Sequence, residues 1–316
     1  MRRFVSGASA LLALVGLALG QDEPKKKLDL VYKWDQLDGK TAVYDYEEKT
    51  EQQVEIKTTT KVEKTQGDEV ADPDVTKTEV TSTNKSRLTM SFKKGEHDCG
   101  LVTVTTSRFQ FSLAQPTLST QTINYDSDKP DAPMDAKVKA AIQPQIDALT
   151  ALLGKSYTLT VTRRGVLEKV DGRKETPELK DTFLFFPLVL KSEGDTWSHP
   201  RRDKAESRDG CLGEIVTLRT YKLAKVNEKD ERKIEKNTKT ELDTRLSTVE
   251  ARGVSAKIVD SKGSGYVVVD ARGLKLEEDS DSGYDLVVST VSDGVERHIR
   301  VHSTFRWKLV ELKDAK

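Results

Sequence analysis

From Thr41 to Gln66 the chain alternates. Tyr44, Tyr46, Val54, Ile56 and Val62 stand at even positions, while Asp45, Glu47, Lys49, Glu51, Gln53, Glu55, Lys57, Lys61 and Glu63 fill odd ones. Successive strand residues point to opposite faces, so a period of two favours a sheet with one dry and one wet face over a helix. After Gly67 to Asp74 the pattern repeats, with Val80, Leu88, Met90 and Phe92 set against Lys77, Glu79, Lys85, Arg87 and Lys93. The two segments read as an antiparallel hairpin. At about 3.3 Å per residue the first would reach roughly 80 Å if straight. It is therefore expected to bend, bulge or break, with Glu48, Thr50 and Gln52 as the place where polar residues interrupt the apolar face.

Leu101 to Ala114 continues as a strand, but its apolar positions switch from Val102 and Val104 to Phe109, Phe111 and Leu113, which signals a bulge or two-sided burial. Thr120 to Tyr125 follows as a short strand. The period then changes: between Pro133 and Leu153, Val138, Ala141, Ile142, Ile146, Leu149, Leu152 and Leu153 share one helical stripe, with Gly154 as the stop and Pro144 as a kink or restart. Strands resume at Tyr157 to Thr162 and Val166 to Val170, with one short helix expected between Thr176 and Phe186. Further strands are expected at Glu214 to Asn227, Arg232 to Glu250, Val254 to Val259, Tyr266 to Asp270, Leu274 to Glu278, Tyr284 to Val291 and Val295 to Leu312. In the last, Val295, Ile299, Val301, Phe305, Trp307 and Leu309 form the dry face. Asp38-Gly39 and Asp293-Gly294 are hairpin-turn signals. The fold class these patterns imply is mainly β (α+β): a large curved antiparallel sheet of long amphipathic strands with one main covering helix. Tyr157 to Gly165 and Tyr266 to Gly273 echo each other, each a strand ending in Arg-Gly; two readings stand, a pseudo-repeat or the ordinary yield of glycine turns.

Met1-Arg2-Arg3 followed by 16 apolar or small residues from Phe4 to Leu19, with Ala18 and Gly20 before Gln21, has the build of a secretory signal peptide cleaved after Gly20. The apolar run is shorter than the roughly 20 residues a spanning helix needs. The expected organisation is a signal peptide at 1–20, a polar leader at 21–27 and one large β domain at 28–316, with 28–154 and 155–316 as halves. The expected location is secreted or periplasmic, with no membrane span after cleavage. Removing Arg2 and Arg3 leaves 50 basic residues against 52 acidic ones, so no strong positive field draws the chain to nucleic acid. Cys99 and Cys211 either bridge, as export permits, or remain two free thiols.

Catalytic and metal motifs are sparse. Gly263-Ser264-Gly265 lacks nucleophile-elbow spacing and reads as a flexible turn. Glu277 to Gly283 is rich in carboxylates without EF-hand spacing and reads as a polar hairpin turn. His97 near Cys99 lies in turn-like text, and His298 and His302 stand four strand residues apart on a wet face, too far for one metal. No metal site, cofactor or catalytic residue is assigned.

Tyr125-Asp126-Ser127, Leu153-Gly154-Lys155-Ser156-Tyr157 running on to Val161, the turn at Gly165, Val166 to Gly172, Phe186-Pro187 and Gly194-Asp195-Thr196-Trp197 together resemble a family of uncharacterised exported bacterial β-rich proteins, a domain of unknown function. That resemblance implies export and a β-rich fold without assigned catalytic residues. More loosely, long strands with one apolar helix resemble the half-barrel of periplasmic lipoprotein carriers. The functional expectation is a non-enzymatic protein that binds a hydrophobic small molecule or an envelope protein in a cavity between sheet and helix. Its lining candidates are Tyr44, Tyr46, Ile56, Met90, Phe92, Ile142, Ile146, Leu149, Phe305 and Trp307. A structural or surface-interaction protein with a filled sheet is the second reading, and a hydrolase the third.

Overall fold

The computed structural model describes residues 26–58, 74–130, 133–174, 179, 182–207, 210–249, 253–290 and 294–314. The expected signal peptide, most of the leader, Lys61, Val62, Glu63 and Asp293 lie outside the described residues. The elements are α1 (Trp34–Leu37), β1 (Lys40–Thr58), β2 (Asp74–Lys94), β3 (Cys99–Ala114), β4 (Ile123–Asp126), α2 (Ala136–Thr150), β5 (Ser156–Thr162), β6 (Leu167–Asp171), β7 (Thr196–Ser207), β8 (Gly210–Val226), β9 (Arg232–Asp243), β10 (Val254–Val269), β11 (Lys275–Thr290) and β12 (Val295–Asp314). The strands form one open, curved antiparallel sheet in the order β6-β5-β3-β2-β1-β12-β11-β10-β9-β8-β7, with β4 also on β3.

The first strand pairs with the last, from Lys40 opposite Asp314 to Thr58 opposite Val295. β1 to β6 thus form one wing and β7 to β12 the other. The division falls in the connector between Asp171 and Thr196, which corrects the expected halves: β5 and β6 pair onto β3 and belong to the first wing. β1 neither breaks nor bends out of register at Glu48, Thr50 and Gln52. Its one register shift lies between Val43 and Tyr44, where Val310 of β12 is the extra residue. In β3 the expected bulge is present. Ser107 is the extra residue, so Phe109, Phe111 and Leu113 return to the face already carrying Val102 and Val104.

Two segments without regular strand structure cover one end of this inner face. Leu28, Leu30, Tyr32, Trp34 and Leu37 from the first, and Leu184 and Phe186 from the connector, are buried together with Met90, Phe92, Val102, Leu159, Leu223, Ile234 and Val267. Tyr32 stacks on Trp34 with ring centroids 5.0 Å apart. The two Arg-Gly turns that echo in the sequence pin the first segment from opposite wings: the Tyr32 N–H donates to Arg163 O at 2.8 Å and the Lys33 N–H to Arg272 O at 2.9 Å. Their hairpins occupy different places in the strand order, so the echo marks a shared anchoring turn.

Helix α2 begins at Asp135, whose carboxylate accepts from the Lys137 and Val138 N–H groups, and runs through Pro144 as one span. It covers a corner of the sheet. Ile142 and Ile146 are buried with Phe111, Leu113 and Ile123, and Leu149 packs at their margin. The expected covering helix is therefore present, and it covers this corner of the sheet. β4 and β5 both pair with β3, at residues 110–113 and 99–105, so the helix joining them stays above that strand. Cys99 and Cys211 are free thiols, the second of the two readings the sequence left open. They lie at the starts of β3 and β8, as first and second residue, in opposite wings, and Cys99 Sγ donates to Glu168 at 3.3 Å while Cys211 Sγ donates to Gly213 O at 3.4 Å.

Two expected turns lie inside strands. Gly263-Ser264-Gly265 sits within β10, and Glu277 to Gly283 within β11. Of the short helix expected between Thr176 and Phe186, Leu179 is helical, residues 182–186 are not, and the rest lie outside the described residues. Asp38-Gly39 joins α1 to β1 rather than two strands, with Asp38 Oδ1 accepting from the Lys94 N–H.

Gly273 has φ of +84°, and a Cβ there would stand 2.6 Å from Val31 O. Gly273→Ala is expected to destabilise the fold by about 3 kcal/mol through backbone strain and displacement of the first segment; a urea midpoint unchanged from wild type would show that this turn does not anchor it. Ile146→Asp, which buries an unpaired carboxylate beneath α2, is expected to cost about 3–5 kcal/mol, measured in the same titration.

Candidate functional site

Beyond the two covering segments the inner face opens into a trough of about 430 Å³ that straddles the junction of the wings. Register explains its lining. Inner-face positions pair across the sheet in rows, one running Tyr221, Lys236, Gly265, Ser280, Phe305, Glu48 and Asn84. Gly265 contributes no side chain to its row. In the row on the side of the covering segments, Glu278 lies between Val267 and Trp307. One wall is apolar and aromatic: Tyr46, Tyr284, Phe305 and Trp307 from the strands, Phe183 and Leu184 from the connector. The other is polar, with Thr217, Arg219, Thr238 and Thr240 of β8 and β9 and the Arg201–Asp203 ion pair of β7.

At the floor lies a largely buried cluster of three charges. Lys236 Nζ donates to Glu278 Oε1 at 2.6 Å and to Ser280 Oγ at 3.0 Å, and Lys275 Nζ donates to Glu278 Oε2 at 2.5 Å. Lys275 also lies 4.6 Å from the centre of the Trp307 ring, a cation–π contact, and its carbonyl accepts from the Tyr44 hydroxyl at 2.9 Å. In a regular strand, residues 275 and 278 would face opposite sides. A bulge at Leu276, where Val269 pairs with Lys275 and Val268 with Glu277, turns both onto the inner face. Burial raises the Glu278 carboxyl, but the two ammonium groups outweigh it and hold the group well below the usual carboxylate range. Two cations against one anion give this trio one net positive charge, and Glu48 and Arg219, of opposite sign, also line the trough.

The cavity expected between helix and sheet is corrected accordingly. Of its lining candidates, Tyr46, Phe305 and Trp307 line the trough. Tyr44, Met90 and Phe92 are core residues beneath the covering segments, and Ile142, Ile146 and Leu149 belong to the separate cluster under α2. Ile56 lies on the inner face toward the strand tips, half-buried and away from the trough. Sequence reasoning missed Arg201, Thr217, Arg219, Tyr221, Lys236, Thr238, Thr240, Lys275, Glu278, Ser280 and Tyr284. One signal was present: Glu48, taken as a break in an apolar face, is a trough residue.

No protein-family model matches the chain, and no curated protein matches it. Among solved structures, a chain described as "Lipid-protein interactions in lipovitellin" shares 13% sequence identity at a TM-score of 0.44, with the match covering 88% of this chain and 26% of that one. This chain spans about a quarter of that chain's length, and the match bears on neither the site nor its ligand. Among the described residues, no helix is long and apolar enough to cross a membrane.

The Glu278 shift fixes the sign of an acid dependence. A carboxyl depressed in the fold relative to its unfolded value of about 4.3 contributes stability that is complete above roughly pH 5 and drains away as pH falls. Glu278→Gln, which leaves two buried ammonium groups without their anion, is expected to cost about 3 kcal/mol near neutrality. The gap between wild type and variant should narrow below pH 5 in urea titrations; a gap independent of pH down to pH 3 would mean that the carboxylate is not held by the lysines.

Proposed function

We propose that this chain is an exported, non-enzymatic protein that binds a hydrophobic ligand with a polar end in the trough of its sheet. The observation that supports this most is the trough's two-sided chemistry: an aromatic wall of Tyr46, Tyr284, Phe305 and Trp307 faces a hydroxyl-rich wall over a floor whose charge trio is net positive. Its volume of about 430 Å³ falls in the range of small-molecule sites, roughly 300–1,000 Å³. Beyond it the inner face continues past Val301 and Ile299 of β12 and Val54 and Ile56 of β1, all half-buried, so an apolar tail has a surface to run along toward the strand tips. A polar end, anionic for preference, would meet Lys236, Lys275 and Arg219. Side chains of a scaffold sheet filled to native density would leave no such volume.

The test is a fluorescent long-chain fatty acid titrated into the purified chain, read by its own emission. Ser282→Trp places an indole on the trough floor at a half-exposed position, where little is disturbed. It is expected to weaken binding at least roughly tenfold while moving stability by less than about 1 kcal/mol. Saturable binding that Ser282→Trp leaves unchanged would place the ligand elsewhere, and no binding at all would overturn the reading.

A further inference from the structure

The connector that lends Phe183 and Leu184 to the trough continues into the most exposed apolar stretch among the described residues. Leu188, Val189 and Leu190 are 81%, 62% and 53% exposed. Isolated apolar residues on a surface need no explanation, whereas three consecutive ones held out from a fixed loop do. The loop is held at both ends. Phe186 is fully buried and its N–H donates to Arg164 O at 2.9 Å. Lys191 exchanges two backbone hydrogen bonds with Leu28, at 2.8 and 2.9 Å, and Arg164 Nη2 donates to Leu188 O at 3.4 Å. The same pairing sets exposed Lys26 and Lys27 beside the loop's base, with Lys26 3.9 Å from Asp230, and Arg163 and Arg164 converge there on Asp29, Arg163 also facing Asp98. Apolar side chains projecting beside exposed lysines supply the two requirements for interfacial membrane contact, insertion and electrostatic attraction.

We propose that Leu188, Val189 and Leu190 form a membrane-contact loop that seats the protein on an anionic bilayer. The size of the patch selects this occupant over a protein. Three side chains offer far less than the roughly 800 Å² per partner that a stable protein interface buries, but such a projection suits the boundary between headgroups and acyl chains. The proposal goes beyond ligand binding in the trough, with which it shares only the connector, and each stands or falls on its own measurement.

The mature chain is sedimented with vesicles of phosphatidylcholine mixed with phosphatidylglycerol, and with vesicles of phosphatidylcholine alone. Binding is expected to the mixed vesicles and to be weaker to the neutral ones. The Leu188→Asp, Leu190→Asp double variant, altered only at exposed positions, is expected to keep the wild-type melting temperature and lose vesicle binding by roughly tenfold or more. Lys26→Glu with Lys27→Glu is expected to erase the preference for the mixed vesicles. Val189→Trp supplies a readout independent of affinity, since its emission should shift to the blue on the mixed vesicles. Ser282→Trp, which fills the trough, should sediment with vesicles as wild type does. Failure of the wild-type chain to bind mixed vesicles, undiminished binding by the double aspartate variant, or an unshifted Val189→Trp spectrum would each overturn the proposal. So would a dimer of the wild-type chain that the aspartate substitutions dissociate, because the loop would then serve a second copy.

Discussion

The pairing of β1 with β12 is the constraint on which the rest of the structure depends. It joins strands from opposite ends of the described chain along the whole length of β1. Without it the molecule is two six-stranded wings, each with an apolar face open to water. The trough straddles this seam, with Tyr46 and Glu48 on one side and Phe305 and Trp307 on the other. The covering segment from Leu28 to Leu37 makes the same connection at the end of the sheet, since its backbone is held by Arg163 of one wing and Arg272 of the other. Core, cover and site therefore form together, and long-range pairing of this kind is slow to assemble because chain closure precedes any reward.

Small irregularities in the strands decide what faces inward. Val310 absorbs a register shift beside Tyr44, Ser107 keeps the aromatic end of β3 on the inner face, and Leu276 brings Lys275 and Glu278 to the same side. Each adds one residue and reverses the alternation beyond it, which no smooth strand does. The buried charge cluster is a product of the third. A carboxylate between two ammonium groups compensates most of its own desolvation, and the trio lies at the floor of a trough whose opposite wall is aromatic.

Alternation made the long strands legible. β1, β2 and β12 lie where the period of two placed them, and the switch of apolar parity in β3 announced its bulge. What was lost had physical causes. β7 escaped notice because Pro200 and a run of charges oppose strand formation, yet at the edge of the sheet a proline gives up no ladder hydrogen bond that a neighbour needs. The Gly-Ser-Gly of β10 and the Asp-Ser-Asp-Ser-Gly of β11 have turn composition, and pairing with strands on both sides overrides it. The trough was hidden for the same reason: its floor is built from small and polar residues that, read locally, resemble turns. A helical stripe reveals which residues a helix buries but not which part of a sheet receives them, so the α2 residues and the trough aromatics were placed together in error.

The central claim is that the seam between the wings holds an amphiphile. Native mass spectrometry of the chain purified from its native source tests this most directly. The account predicts a species heavier than the polypeptide by the mass of one amphiphilic molecule, released on unfolding and recovered when the delipidated chain is incubated with a long-chain fatty acid. A polypeptide mass with no adduct before or after that incubation would contradict it.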